Sequence, residues 1–426
     1  MKKYSDIIKM LMPAKKIMRG LKNTSYLTIG YFLSTAIGLL GLVYIARLLG
    51  PSDYGIYVTV GAFVGLFDLI TFNGINKVVL REGAKDLSKM RDYLERTTGI
   101  KNLLAFIAIV VCIIGSFFMP YSMQVRLYII IFSTSLIHTT FNGFFGTVYQ
   151  AVEKMQYNAI LGILNGILFV SISIAFLYLG FGLLALFLIA LFSKFFTVII
   201  NFKLTKRFLF YKFWNKIKWD KSILRPALIF SILSFTVLLT TKIDLVMISW
   251  LSSTKDVGIY GVAYQITDTG VGIRNILATA FFPIFVKTFH KNVVRWNQLL
   301  KYAFLLGFGL LAIATAGSLL SEQAIVLLFG GEYAKSGLIL SVLIFYLAIS
   351  FFAIPFTNAL QATHNEGKYL KICWIGPCLN IGLNYLFFKI FGLIGIAYST
   401  LVVTSVTIPI TVLVTFITLK KQNRII

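Results

Sequence analysis

Cysteine is scarce in this 426-residue chain, and its three copies, Cys112, Cys373 and Cys378, all fall inside long apolar runs. That excludes a disulfide framework and any cysteine-based zinc spacing, and leaves them as small core hydrophobes. Histidine is as sparse. His138, His290 and His364 lie far apart with no ligand partner three or four residues away, so no metal site is expected. No glycine-rich phosphate loop ending in Lys-Ser or Lys-Thr occurs, which argues against ATP as a direct drive. The short alternating segments of a membrane β-barrel, about ten residues each, are missing. Acidic residues are the last shortage, 15 against 40 Lys and Arg.

What the chain has instead is apolar length. With 58% hydrophobic residues and a mean hydropathy of +0.85, too little polar surface remains to coat a soluble globule. Twelve apolar runs can be marked off, at 24–49, 54–79, 97–119, 123–150, 157–179, 182–204, 223–250, 257–287, 299–320, 336–361, 369–389 and 393–419. Each is long enough to cross a hydrocarbon core of roughly 30 Å at about 1.5 Å per residue. The expected fold is all-α and transmembrane, with twelve membrane helices.

The net charge of +25 is spread very unevenly over the gaps. Charges close to a span's end are counted with the adjoining gap, and the amino terminus is placed in the cytoplasm. On that count the cytoplasmic gaps and tails hold 32 basic and 8 acidic residues, the outer gaps 5 and 4, and the spans 3 and 3. This is the positive-inside pattern, and it puts both termini on the cytoplasmic side of a plasma (inner) membrane. The clusters Lys2–Lys22, Lys77–Lys101 and Lys203–Arg225 then fix orientation and meet anionic headgroups, and nucleic acid is not the expected partner. Residues 1–23 read as a cytoplasmic basic segment. Ile7, Ile8, Leu11 and Met12 interleave there with Lys9, Lys15 and Lys16, as in an interfacial helix rather than a cleaved signal.

The chain also repeats itself. Asp53-Tyr54-Gly55-Ile56-Tyr57 opens the second span and Asp256-Val257-Gly258-Ile259-Tyr260 the eighth, 203 residues apart. Gln150-Ala151 with Tyr157 is echoed 211 or 212 residues later by Gln361-Ala362 with Tyr369. Partner spans lie six apart, so the two halves run in the same sense. The expected organisation is a six-helix lobe at 24–204, an interfacial linker at 205–222, a second six-helix lobe at 223–419 and a tail at 420–426.

Enzymatic signals are absent, and the outer gaps are too short to hold a catalytic loop. The informative residues are six charges within spans: Asp68, Lys194, Lys242, Asp244, Asp268 and Arg274. Burying one at the bilayer centre costs about 2.5–3.5 kcal/mol on insertion scales, so they face protein or a wet cavity. Lys242 and Asp244 are two residues apart and Asp268 and Arg274 six, neither a facing interval on one helix, which leaves pairing between helices or a ligand role. Arg47, near the outer end of the first span, could simply snorkel to the headgroups. Asn158 and Asn165 share a face of span five, and Asn380 and Asn384 one of span eleven. His138, Asn142, Phe145 and Tyr149 form a stripe along span four. Each set could line a cavity or act as hydrogen-bonding glue between helices. Gly270, Gly272, Pro283, Pro355, Pro377 and Pro409 permit rocking without requiring it.

Two turns carry a resemblance. Ala46-Arg47-Leu48-Leu49-Gly50-Pro51-Ser52-Asp53-Tyr54-Gly55-Ile56-Tyr57 resembles the opening of polysaccharide-repeat (Wzx-type, O-antigen) flippases of the multidrug/oligosaccharidyl-lipid/polysaccharide exporter superfamily. Leu328-Phe329-Gly330-Gly331-Glu332-Tyr333 is similar to a turn of the same family. The resemblance covers essentially the whole chain and does not specify the sugar. It implies a MATE-like pair of six-helix bundles forming a V that opens alternately to each side. The implied function is translocation of a polyprenyl-(pyro)phosphate-linked oligosaccharide to the outer leaflet, without catalysis. Membrane lipid, the polyprenyl-linked glycan and polysaccharide polymerase machinery are the implied partners. No cofactor is implied, and H+ or Na+ coupling stays open. The resemblance also implies basic residues in a central cavity. Arg47 matches a motif position, whereas Lys194, Lys242 and Arg274 are assigned by depth, with Asn142, Asn165 and Asn380 as amides for the sugar. Asp68, Asp244 and Asp268 are the candidates for ion coupling or charge pairing. The alternatives are a cation-coupled multidrug exporter, which would need an acidic cavity, and a membrane glycan polymerase.

Overall fold

The computed structural model describes residues 2–83, 86–209, 216–217, 219–291, 296–363 and 365–422. Among them there is no strand. Hydrocarbon offers no partner to a backbone N–H or C=O, so each crossing segment must close its own hydrogen bonds. The helices are α1 (Lys2–Leu66), α2 (Gly74–Gly83), α3 (Leu87–Phe117), α4 (Met123–Ser133), α5 (Ser135–Ala151), α6 (Gln156–Tyr178) and α7 (Gly182–Thr205). They continue with α8 (Lys221–Leu251), α9 (Thr254–Lys291), α10 (Trp296–Phe329), α11 (Ala334–Phe351), α12 (Ile354–Ala362), α13 (Glu366–Phe391) and α14 (Leu393–Lys421).

All twelve positions read as spans are helical, three of them with a break: at 67–73, at Thr134 and at 352–353. Among the described residues eight helical stretches are long and apolar enough alone to cross a membrane, nine when the bent α8 is taken as one. The 44-residue stretch Thr28–Thr71 contains two spans, because Gly50 turns the chain inside α1 at φ 70°, ψ 169°. Only glycine adopts that conformation cheaply, and Pro51 then starts the next helix with its fixed φ. The remaining helices, α9 and α13, carry polar groups at mid-length, Asp268 and Arg274 in one and Asn380 and Asn384 in the other. Large side chains such as Phe106, Leu305, Ile313 and Leu319 are exposed, the surface that lipid would cover. The protein is a multi-pass membrane protein.

Two compact units divide the chain. The first comprises 1–42 and 64–234, and the second 43–63 and 235–426, so the division passes twice through α1 and once through α8. In the first unit Ile75, Val78 and Val79 of α2 pack with Met90, Leu94 and Ile100 of α3 and with Phe144, Phe145 and Val148 of α5. In the second, Leu299 and Ala303 of α10 pack with Phe356 and Ala359 of α12 and Leu419 of α14. Asp220, just before α8, accepts from the Ser222 hydroxyl at 2.5 Å and amide at 3.0 Å, and from Arg96 at 3.4 Å. Those bonds, the Ser222 hydroxyl foremost, hold its carboxyl below the usual range. The faces of the 1–23 segment, the linker aromatics Phe210, Tyr211, Phe213 and Trp214, the tail beyond Gln422, and the side chains of Pro283, His290 and His364 lie outside the described residues.

The repeated motif packs against its own copy inside the second unit. A Cβ placed on Gly55 would run into the Thr254 carbonyl and sit 2.9 Å from the Gly258 nitrogen. One placed on Gly258 would run into the Pro51 carbonyl and sit 3.0 Å from the Gly55 nitrogen. The contact is reciprocal: Pro51 corresponds to Thr254, and Gly55 to Gly258, at the same 203-residue offset. The second echo has a structural counterpart too, since α5 ends at Ala151 and α12 at Ala362. Replacing Gly258 by valine is expected to cost at least the 1–3 kcal/mol typical of overpacking, seen as a lower melting temperature and a loss of monodisperse protein. Gly61→Ala, where no other atom lies within 4 Å, is expected to behave as wild type. Equal melting temperatures for the two variants would show that the close approach is not needed.

Candidate functional site: two polar cavities

The first unit is organised by the break in span two. After α1 a 3-10 turn, Phe67–Thr71, leads to Phe72 in the left-handed region at φ 58°, and α2 restarts at Gly74. A non-glycine residue there costs about 1–3 kcal/mol and persists only when its surroundings determine it. Asp68 supplies that determination. Its Oδ1 accepts from Thr71 Oγ1 at 3.0 Å and Thr139 Oγ1 at 2.8 Å, and its Oδ2 from Asn73 Nδ2 at 2.8 Å. The freed amide of Gly74 donates to Ser231 Oγ at 3.0 Å. Beyond Asn73 the chain of polar contacts continues, Asn76 Nδ2 reaching Asn73 Oδ1 at 3.5 Å and Lys101 Nζ donating to Asn76 Oδ1 at 2.9 Å.

Lys101 corrects the sequence reading, which counted it among the cytoplasmic orientation charges. It is 0% exposed, with its ammonium 4.5 Å from the centre of the Phe144 ring. Lys194 is held likewise, 4.5 Å over Phe132, and Asp68 attracts both lysines electrostatically. The span-four stripe divides. His138 and Asn142 face a cavity, while Phe145 and Tyr149 are packed in the core.

That cavity, about 440 Å³, lies between the broken end of span two, α5, α6 and α7. Asn73, Asn76, Asn142, Asn158, Asn165 and Asn201 line it, together with His138 and Gln150, and its one formally charged lining residue is the exposed Lys77. The predicted residues Asn142 and Asn165 are therefore brought together here. Lys194 is not in the lining, although Thr197, one turn on, is.

The second unit buries Asp244 almost completely, at 3% exposure. Tyr260 and Thr400 donate to its Oδ2 at 3.0 and 2.8 Å, and Asn384 Nδ2 donates to its Oδ1 at 2.8 Å. Asn384 also donates to Asn380 Oδ1 at 2.7 Å, while its own Oδ1 is buried without a partner. Asn380 thus belongs to the cage around Asp244. Lys242 sits 5.0 Å from the Tyr264 ring centre and is attracted by Asp268 on α9. Among the described residues, none of the six intraspan charges forms a salt bridge within 4 Å.

A separate cavity of about 590 Å³ opens in this unit, lined by threonines of α8, α9, α12 and α14 with Tyr346, Gln361 and Tyr369. Arg274 is the one charged residue in its lining, and its Nε is buried with no partner. Many of the threonines spend their proton on their own helix, as Thr240 does to Thr236 O and Thr411 to Thr407 O, each at 2.8 Å. Arg274 is therefore the strongest donor in the cavity. Arg47 lies in neither cavity. Its Nη2 donates to Leu327 O at 2.9 Å, and Tyr333 donates to Ala46 O at 2.9 Å, so the two turns that carry the resemblance are fastened to each other.

Residues 20–289 match the family model described as polysaccharide biosynthesis protein. The chain belongs to that family. Among curated proteins it is 23% identical, over 386 residues covering 86% of this chain and 77% of the other, to a probable flippase, AglR, of Haloferax volcanii. Its fold is similar to the lipid II flippase MurJ in an inward closed conformation, with TM-score 0.74, 15% identity, and 92% and 87% of the two chains covered. It is also similar to an inward-facing MATE-family multidrug transporter, with TM-score 0.72, 15% identity, and 91% and 95% covered. A transporter of the MOP superfamily from Pyrococcus furiosus matches at TM-score 0.65, 17% identity, over 94% and 96%. These likenesses establish the MOP-superfamily fold of this family member.

Asp68 is the residue on which the break in span two depends. Its replacement by alanine leaves Asn73 Nδ2 without its acceptor, at about 1–3 kcal/mol when buried and unpaired, while the Thr71 and Thr139 hydroxyls fall back on the main-chain carbonyls of residue 68 and Leu136. Amide exchange at Phe72–Ile75 is therefore expected to rise about ten- to a hundredfold in Asp68→Ala, measured by hydrogen–deuterium exchange. Unchanged protection would show that Asp68 does not hold the break.

Proposed function

We propose that the protein is a flippase that carries a polyprenyl-(pyro)phosphate-linked oligosaccharide across the plasma membrane by alternating access, with its termini cytoplasmic and its product passed to polysaccharide polymerase machinery. The observation that carries this reading is the cavity of the second unit, where Arg274 is the single charge and presents an unpaired, buried Nε among neutral hydroxyls. An anionic phosphate linkage supplies the acceptor that this guanidinium lacks, and planar Arg suits such groups. A polyprenyl tail needs no site, since it stays in lipid. Kinship with a probable flippase and a fold shared with a lipid II flippase support the reading. The multidrug alternative needs an acidic cavity, and neither cavity has a carboxylate in its lining among the described residues.

Coupling falls to Asp244 in this proposal. Asp244 is a buried carboxylate, and the Oδ1 of its donor Asn384 is buried without a partner, so a proton on the acid or a monovalent cation at the amide oxygen would be favoured there. One charge moved through 100 mV supplies about 2.3 kcal/mol.

The experiment is leaflet-resolved labelling of lipid-linked sugar in reconstituted vesicles and in depleted cells. Depletion is expected to trap the lipid-linked repeat in the cytoplasmic leaflet, and an unchanged distribution would sink the idea. Arg274→Gln is expected to weaken the apparent affinity for cargo about tenfold or more, the loss of a charge-assisted hydrogen bond worth about 1.5–3 kcal/mol. Asp244→Asn is expected to make flipping indifferent to an imposed ion gradient while cargo binding persists. If gradient dependence survives that substitution, coupling lies elsewhere.

A further inference from the structure

The cavity of the first unit differs in kind from that of the second. Six asparagines line it, and a carboxamide offers a donor and an acceptor side by side. Two of its lining atoms, His138 Nδ1 and Asn165 Oδ1, are buried with no hydrogen-bond partner in the protein. Buried polar atoms left unpaired are costly, so an ordered water or a cavity occupant that reached them would be favoured. The lining contains no Phe, Tyr or Trp, so recognition rests on hydrogen bonds to ring substituents rather than on stacking. Its volume of about 440 Å³ is within the roughly 300–1,000 Å³ usual for small-molecule sites.

The orientation of two of these amides is dictated by their neighbours. Asp68 only accepts, so Asn73 must turn its NH2 toward it, which leaves Asn73 Oδ1 as an acceptor, reached at 3.5 Å by Asn76 Nδ2 and with one further lone pair. Lys101 only donates, so Asn76 must turn its oxygen toward the ammonium, leaving Asn76 Nδ2 as the donor. A buried acid and a buried base, neither in the lining, thus set one fixed acceptor and one fixed donor in the wall. A phosphate, which only accepts at its oxygens, would be served by Lys77 and by amides free to turn, but not by the fixed Asn73 oxygen. A sugar hydroxyl or acetamido group both gives and takes.

We propose that this cavity is a sugar-ring subsite that reads hydroxyl and acetamido groups, with Asp68 and Lys101 as positioning residues that fix how Asn73 and Asn76 present themselves. The inference rests on the reading of the protein as a carrier of glycan cargo. It assigns the sugar to the first unit's cavity, apart from the anion site at Arg274.

The test is binding of lipid-free N,N′-diacetylchitobiose to the purified full-length protein, by calorimetry, against its deacetylated diamine and inorganic pyrophosphate. The diacetyl sugar is expected to bind at least tenfold more tightly than the diamine. Asn142→Leu, at an exposed position on the wall, and Asn165→Leu are each expected to weaken it about tenfold or more, with Arg274→Gln without effect. Asp68→Asn frees Asn73 to rotate, and is expected to erode the preference for the acetylated sugar while pyrophosphate binding stays intact. A merely structural role for Asp68 would lower both ligands' binding together. The proposal is overturned if wild type does not bind the diacetyl sugar, if both leucine variants bind it like wild type, or if pyrophosphate competes for the same site and is lost in Asn142→Leu. Flipping by the wild-type protein in vesicles separates the two readings. Transport with indifferent leucine variants removes this subsite alone, whereas absent transport removes the flippase reading whatever the sugar binding shows.

Discussion

A polar group carried into hydrocarbon must find its partner inside the protein, and most of what distinguishes this chain from a generic helical bundle follows from that constraint. Two carboxylates are each satisfied by three side-chain donors: Asp68 by Thr71, Asn73 and Thr139, and Asp244 by Tyr260, Asn384 and Thr400. Neither uses a lysine or arginine within salt-bridge distance. Neutral donors make sense here, because removing one partner of a buried ion pair strands a full charge, whereas losing one of three dipoles does not. The lysines are handled differently. Lys101 and Lys194 rest on the faces of Phe144 and Phe132, which attract an ammonium without adding a compensating charge.

The same economy of partners explains why the chain comes so close to itself where the repeated motifs meet. Between Gly55 and Gly258 there is no room for a Cβ on either side, so backbone faces backbone. Association of helices within lipid gains nothing from excluding water, and close approach over small residues is the remaining route to dense packing. Tyr333 and Arg47 close the neighbouring turns by donating to carbonyls that helix ends leave free. A charge that depth alone marks as a ligand for anions is spent there on Leu327 O.

How far the sequence could be read follows from what hydropathy and repetition encode. Long apolar runs specify helices, and all twelve appear because nothing else satisfies the backbone over that length. The matching Gly55 and Gly258 motifs were visible as a repeat, and the structure shows them touching. Rotation about a helix axis is not encoded so plainly. Asn142 and Asn165 face a cavity and Asn380 joins the cage around Asp244, although all three looked alike as polar residues in apolar spans. Lys101 was hidden by its position four residues inside a span, where a lysine is equally readable as a snorkelling end. Its burial among aromatic and amide neighbours depends on α2 and α5, far away in sequence. The break at 67–73 was also hidden, since that stretch contains neither proline nor glycine. It is made by Asp68 hydrogen bonds that only tertiary contact with Thr139 completes.

The arrangement also separates two jobs that would interfere if they shared a wall. An acid in the lining would repel an anionic cargo and attract cations. Setting Asp68 and Lys101 one layer back removes their charges from contact while leaving their hydrogen-bonding demands in force on Asn73 and Asn76. The wall then carries the exposed Lys77 as its one formal charge, and each of those amides has lost the freedom to flip. Arg274 has no such screen in front of it, and its cavity surrounds it with hydroxyls already turned toward their own helices. The first unit's cavity thus rests mainly on hydrogen-bond pattern, and the second unit's on the charge of Arg274.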